Sequence, residues 1–105
     1  MSYLKSKYGR RTGRTEFEFV GLADFNVSDE ITFDDVDIFT TRYGDSPVLV
    51  SSKNKKFIRC PRYMADTFRE LLADDRAMEI IHNGASAVVI EYNKDGHAFR
   101  TIDFK

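Results

Sequence analysis

The sequence predicts a mainly β domain of the α+β class, and three observations carry that reading. Several short segments alternate apolar and polar residues with a period of two. Residues 63–83 alone show helical spacing, and Gly, Pro, Asn and Asp clusters separate the segments. At 105 residues the chain fits one domain, and its 9 Phe and 5 Tyr are enough to build a core.

Residues 1–14 contain Lys5, Lys7, Arg10, Arg11 and Arg14, no acid, and the breakers Gly9 and Gly13, which marks a basic flexible arm. Thr15-Glu16-Phe17-Glu18-Phe19-Val20 then alternates aromatic with acidic side chains, as a half-buried strand does. Ile31-Thr32-Phe33 opens the next strand. The pair Asp34-Asp35 interrupts its alternation, after which Val36, Ile38 and Thr40 share one face and Asp37, Phe39 and Thr41 the other. An extra residue that resets the facing predicts a β-bulge there. Arg42 to Pro47 is a turn, and Val48-Leu49-Val50 is a short strand. A polar loop with Lys53, Lys55 and Lys56 leads to the strand Phe57-Ile58-Arg59-Cys60, ended by Pro61.

In the helical stretch, Met64, Phe68, Leu71 and Leu72 lie near one stripe, followed by Ile80 and Ile81. Asp74 or Asp75 is placed to cap a second short helix, and Asn83-Gly84 to stop it. Residues 87–92 and 97–104 are two strands joined by the hairpin turn Asn93-Lys94-Asp95-Gly96. From residue 31 the order is strand, strand, strand, helix, strand, strand. That is the order of an OB-like five-stranded barrel with its helix between strands 3 and 4, here with an extra N-terminal strand at its edge. A split β–α–β layer of ferredoxin type fits less well, because there is one helical region. The expected organisation is a basic arm over 1–14 and a single OB-like domain over 15–105.

The formal net charge of −1 is unevenly spread: the arm holds five of the 16 Lys and Arg and none of the 17 Asp and Glu. A local positive potential therefore coexists with an acidic body. Cys60 is the one cysteine, which excludes an internal disulfide and a multi-cysteine zinc site. No apolar run reaches the ~18 residues of a membrane span, and no apolar h-region follows the charged start. His82 and His97 are not spaced with Cys60 as metal ligands. No Ser, Cys or Thr has the surroundings of an activated nucleophile, and Gly9, Gly13 and Gly21 are too far apart for a phosphate loop. Asp34, Asp35 and Asp37 would have to share a face to hold Mg²⁺. The strand period sets Asp34 against the other two, so a solvated acidic strand edge is expected. No enzymatic activity, metal or cofactor is expected.

Binding single-stranded nucleic acid needs cations that follow the phosphates and flat side chains on which bases stack. Phe39-Thr40-Thr41-Arg42-Tyr43 and Lys53-Asn54-Lys55-Lys56-Phe57-Ile58-Arg59 interleave the two, and in an OB-like layout the lysine loop and Tyr43 lie on one side. Over residues 31–105, in element order and in this interleaving, the chain resembles the small OB-fold single-stranded-DNA-binding proteins of phages and mobile elements. The resemblance implies a cytoplasmic protein of a bacterial host that binds single-stranded DNA or RNA during replication or recombination. The residues expected at the strand are Arg10, Arg11, Arg14, Phe39, Arg42, Tyr43, Lys53, Lys55, Lys56, Phe57 and Arg59. Core burial is the competing expectation for Phe39 and Phe57. The rival function is a protein–protein module, such as a phage adaptor, inhibitor or virion structural protein. It would use a sheet edge or the acidic helical face of Asp66, Glu70, Asp74, Asp75 and Glu79. Either role is compatible with a homo-oligomer.

Overall fold

The computed structural model describes residues 5–6 and 16–105. The strands are β1 (Lys5–Ser6), β2 (Glu18–Gly21), β3 (Glu30–Phe33), β4 (Asp35–Thr41), β5 (Gly44–Ser51) and β6 (Lys56–Arg59), then β7 (Ala85–Lys94) and β8 (His97–Phe104). Helices α1 (Ala65–Ala73) and α2 (Asp75–His82) lie between β6 and β7, after a 3-10 turn at Arg62–Met64. No helix among the described residues is long and apolar enough to cross a membrane. Lys5–Ser6 pairs with Thr40 and Phe39 at the sheet edge. The rest of the expected arm, with Arg10, Arg11 and Arg14, lies outside the described residues.

The strands form two sheets, β1-β4-β5-β6-β2 and β3-β7-β8. They share one extended segment: β3 pairs with β7, and two residues later β4 pairs with β5. The expected β-bulge at Asp34-Asp35 is instead the corner where the chain passes between sheets. Asp34 N–H donates to the Val50 carbonyl at 2.9 Å, and its Oδ1 accepts Ser52 N–H at 3.0 Å. The strands expected from residue 31 onward thus pair in series as β6, β5, β4/β3, β7 and β8, but among the described residues they do not close into a barrel. β2 takes the free edge of β6 in parallel, with Phe19 opposite Phe57, and so uses the groups that closure would need.

Alternation sends Val36, Ile38, Leu49 and Ile58 of the larger sheet into a core with Ile31, Phe33, Val89 and Ile102 of the smaller one. Phe68 from α1 and Met78 and Ile81 from α2 cover the same core. Asp74 separates the helices and caps the second, its Oδ1 accepting Arg76 and Ala77 N–H at 3.1 Å each. Gly84 stops it at φ +105°, where a Cβ would be strained. The opposite face of the larger sheet buries Phe39, Val48, Val50 and Phe57 beneath Phe17 and Phe19. The phenylalanine rings there sit 4.9–5.3 Å apart.

Asp35 and Asp37 correct the expectation of a solvated acidic edge, because both are buried. Their Oδ1 atoms accept the N–H of Val36 and Ile38 at 2.9 and 2.8 Å. His82 Nε2 approaches Asp35 Oδ1 at 3.4 Å. Pro47, expected in a turn, lies within β5. Its carbonyl accepts Cys60 N–H at 2.9 Å just past the end of β6, so its missing donor falls where the ladder finishes. Truncation of Phe57, fully buried among three rings, should cost ~3–5 kcal/mol. Urea unfolding of Phe57→Ala against the parent measures this, and a loss below ~1 kcal/mol would contradict the packing described.

Candidate functional site

Thr41 and Gly44 pair across a two-residue turn whose tip is Arg42-Tyr43. Thr41 Oγ1 donates to the Gly44 carbonyl at 2.6 Å and accepts Tyr43 N–H at 3.1 Å, and Gly44 sits at φ +116°. The turn is therefore fixed, while the Tyr43 side chain stands 70% exposed. Pro61 ends β6 and starts the 3-10 turn, which swings Arg62 back to the tip of the β4–β5 hairpin. Arg62 Nη1 donates to the Tyr43 carbonyl at 2.7 Å, and the Arg62 guanidinium lies 5.8 Å from the Tyr43 ring centroid. Arg42 approaches the same ring at 5.8 Å.

These residues border an open groove of about 490 Å³ lined by Thr41, Arg42, Tyr43, Ser46, Arg59, Cys60, Pro61 and Arg62. Among the described residues, three arginines line it and no carboxylate does. Arg59 lies over the Phe19 ring at 5.3 Å, which orients its head group without neutralising it. The nearby Asp45 is held by Arg69, which also bonds Asp66. The Asp45 hydrogen bond is the main reason that the Arg69 pKa is raised. Among the described residues, Arg59 and Arg62 have no carboxylate within ion-pair distance.

Of the residues expected at a nucleic-acid strand, Arg42, Tyr43 and Arg59 come together here. Phe39 and Phe57 do not, because both rings are fully buried in the second core cluster. The lysines do not either. Tyr43 precedes β5 and the Lys53–Lys55 loop follows it, so eight residues of strand, roughly 25 Å, separate the two. The expectation that they share one side is thereby overturned. Lys55 Nζ is 3.7 Å from Glu16 Oε1, Lys56 is half-buried, and Lys53 borders a different groove with Asp34 and Ser52. Arg62 is not among the residues that the sequence pattern singles out. The signal that finds it is Pro61, which fixes a turn before the helix and so puts Arg62 outside the helical stripe.

Among the described residues no three His, Cys, Asp or Glu side chains gather as a metal site requires. Cys60 is buried at the groove, and burial pushes its thiol up to about 12, so it is protonated and unreactive near neutral pH. An unfolded thiol ionises near 9. The folded state should therefore lose stability as pH rises from about 9 towards 12, since only the unfolded chain releases that proton there. Alkylation by iodoacetamide at pH 8 should be slow in the folded protein and accelerate in urea; equal rates in both would contradict the buried, protonated thiol. Searches against protein-family models, curated proteins and solved structures return no match for this chain.

Proposed function

We propose that this protein is a non-enzymatic binder of single-stranded DNA that uses the arginine groove at the β4–β5 turn. The observation that carries the proposal is the exposed Tyr43 ring with the Arg42 and Arg62 guanidinium groups each 5.8 Å from its centroid, Arg59 in the same groove and, among the described residues, no carboxylate lining it. A flat ring on a fixed turn supplies a stacking face at little entropic cost, and arginines beside it meet the flanking phosphates. Duplex DNA offers no free base faces to such a ring. Read as an opened OB-like barrel, the serial strand order supports the same choice of ligand.

Fluorescence anisotropy with a labelled ~30-mer single strand, the matching duplex and RNA, across a salt series, tests the proposal. With three groove arginines on phosphates, the log–log salt slope should be about −2 from this site, since each contact on single strands contributes roughly −0.7. Tyr43→Ala should keep its fold, because a surface truncation usually changes stability by less than ~0.5 kcal/mol. It should bind ~1–3 kcal/mol more weakly, or roughly 5- to 150-fold. Arg59→Ala should flatten the slope by about 0.7. No binding at low salt, or a folded Tyr43→Ala that binds as tightly as the parent, overturns the assignment.

A further inference from the structure

The turn that brings Arg62 to Tyr43 sends its neighbour Tyr63 the other way. The Tyr63 hydroxyl donates to Thr101 Oγ1 at 2.7 Å, and its ring meets Tyr92 edge-on with centroids 6.2 Å apart. Tyr92 stacks on Phe99 across the β7–β8 hairpin at 5.6 Å and 28°, and His97 follows 6.3 Å beyond. This row of rings lies outside the core, whose last contributors on the hairpin are Val89 and Ile102. Tyr63 is 62% and Phe99 44% exposed. Rings left in water at the end of a hairpin contribute little to folding and offer a surface to a ligand.

The register decides what surrounds them. The pairs Ile90–Thr101, Tyr92–Phe99 and Lys94–His97 share one face, whereas Glu91–Arg100 and Asn93–Ala98 occupy the other. The turn residues Asp95 and Gly96, at φ +53° and +77°, lock that register. Beside the rings, the aromatic face of the hairpin carries Lys94 and His97, and its paired carboxylate, Asp103 opposite Val88, lies two rungs from Phe99 on the side away from the turn. Arg62 and Tyr63, adjacent in the chain, link this face to the arginine groove.

We propose that Tyr63, Tyr92 and Phe99, with Lys94 and His97 beside them, form a second stacking surface for unpaired bases of the strand held by the arginine groove. The proposal rests on the single-stranded-DNA reading above. Lys94 sets a cation beside the rings for a polyanion to meet, and the row of rings suits successive bases.

The chain has no tryptophan, so Phe99→Trp places one indole at the surface. Titration with an oligothymidylate of ~12 nucleotides, followed by indole emission and by anisotropy of labelled DNA, should quench the indole along the same isotherm that anisotropy reports. Phe99→Ala, checked for an unchanged melting curve, should bind roughly 5- to 150-fold more weakly. Saturable binding with constant indole emission and a Phe99→Ala affinity within twofold of the parent would overturn this surface while leaving the arginine groove standing. A parent that binds no oligonucleotide would remove both readings together, and the hairpin would then be assigned to a protein partner.

Discussion

A straight strand over residues 30–41 would span roughly 40 Å at 3.3 Å per residue, as long as the molecule's 39 Å longest axis. Such a strand cannot pair along its whole length with one small twisted sheet. The fold depends on bending it at Asp34 without stranding its polar groups. The Asp34 N–H stays in register on Val50, and its carboxylate takes the Ser52 N–H just beyond β5. The apolar set switches phase at the same point, from Ile31 and Phe33 to Val36 and Ile38, so the interior side of the chain remains interior around the corner. Both sheets, and the helices that cover the space between them, take their relative placement from that bend.

Charge is sorted by the same architecture. Three carboxylates of the body are occupied locally: Asp45 by Arg69, Asp74 by the start of α2, and Asp35 by a backbone N–H and His82. Arg59 and Arg62 are instead oriented by an aromatic ring and a carbonyl, which fix the side chain and leave its positive charge in place. Local potential, rather than the formal net charge of −1, then governs what the groove attracts.

Much of the fold was legible because period and punctuation are local. Phe57-Ile58-Arg59, residues 97–104, the cap at Asp74 and the Asp95-Gly96 turn all lie where pattern alone puts them. Alternation tells which face a residue occupies, but not whether that face is covered. For that reason alternation puts Asp37 at a solvated edge and leaves Phe39 and Phe57 open between core and ligand face, whereas Phe17 and Phe19 arrive over the same face through the non-local pairing of β2 with β6. Strand length was the second gap. A turn over residues 42–47 leaves three residues for β5 where the structure has eight, and it is the OB-like layout that sets Tyr43 on the side of the lysine loop, against the length of that strand.

The parallel docking of β2 also bears on the order in which the molecule assembles. Two-residue turns join β4 to β5 and β7 to β8, so these ladders close over short loops. β2 must wait for β6 to exist before Glu18 can meet Lys56, with the whole intervening chain as the loop. Until then one side of the β4–β5–β6 meander, with Phe39, Val48, Val50 and Phe57, lacks the cover of Phe17 and Phe19. Loosening of that short edge strand would uncover the same aromatic surface, placing the most exposed route to misassociation beside the best-packed rings of the sheet.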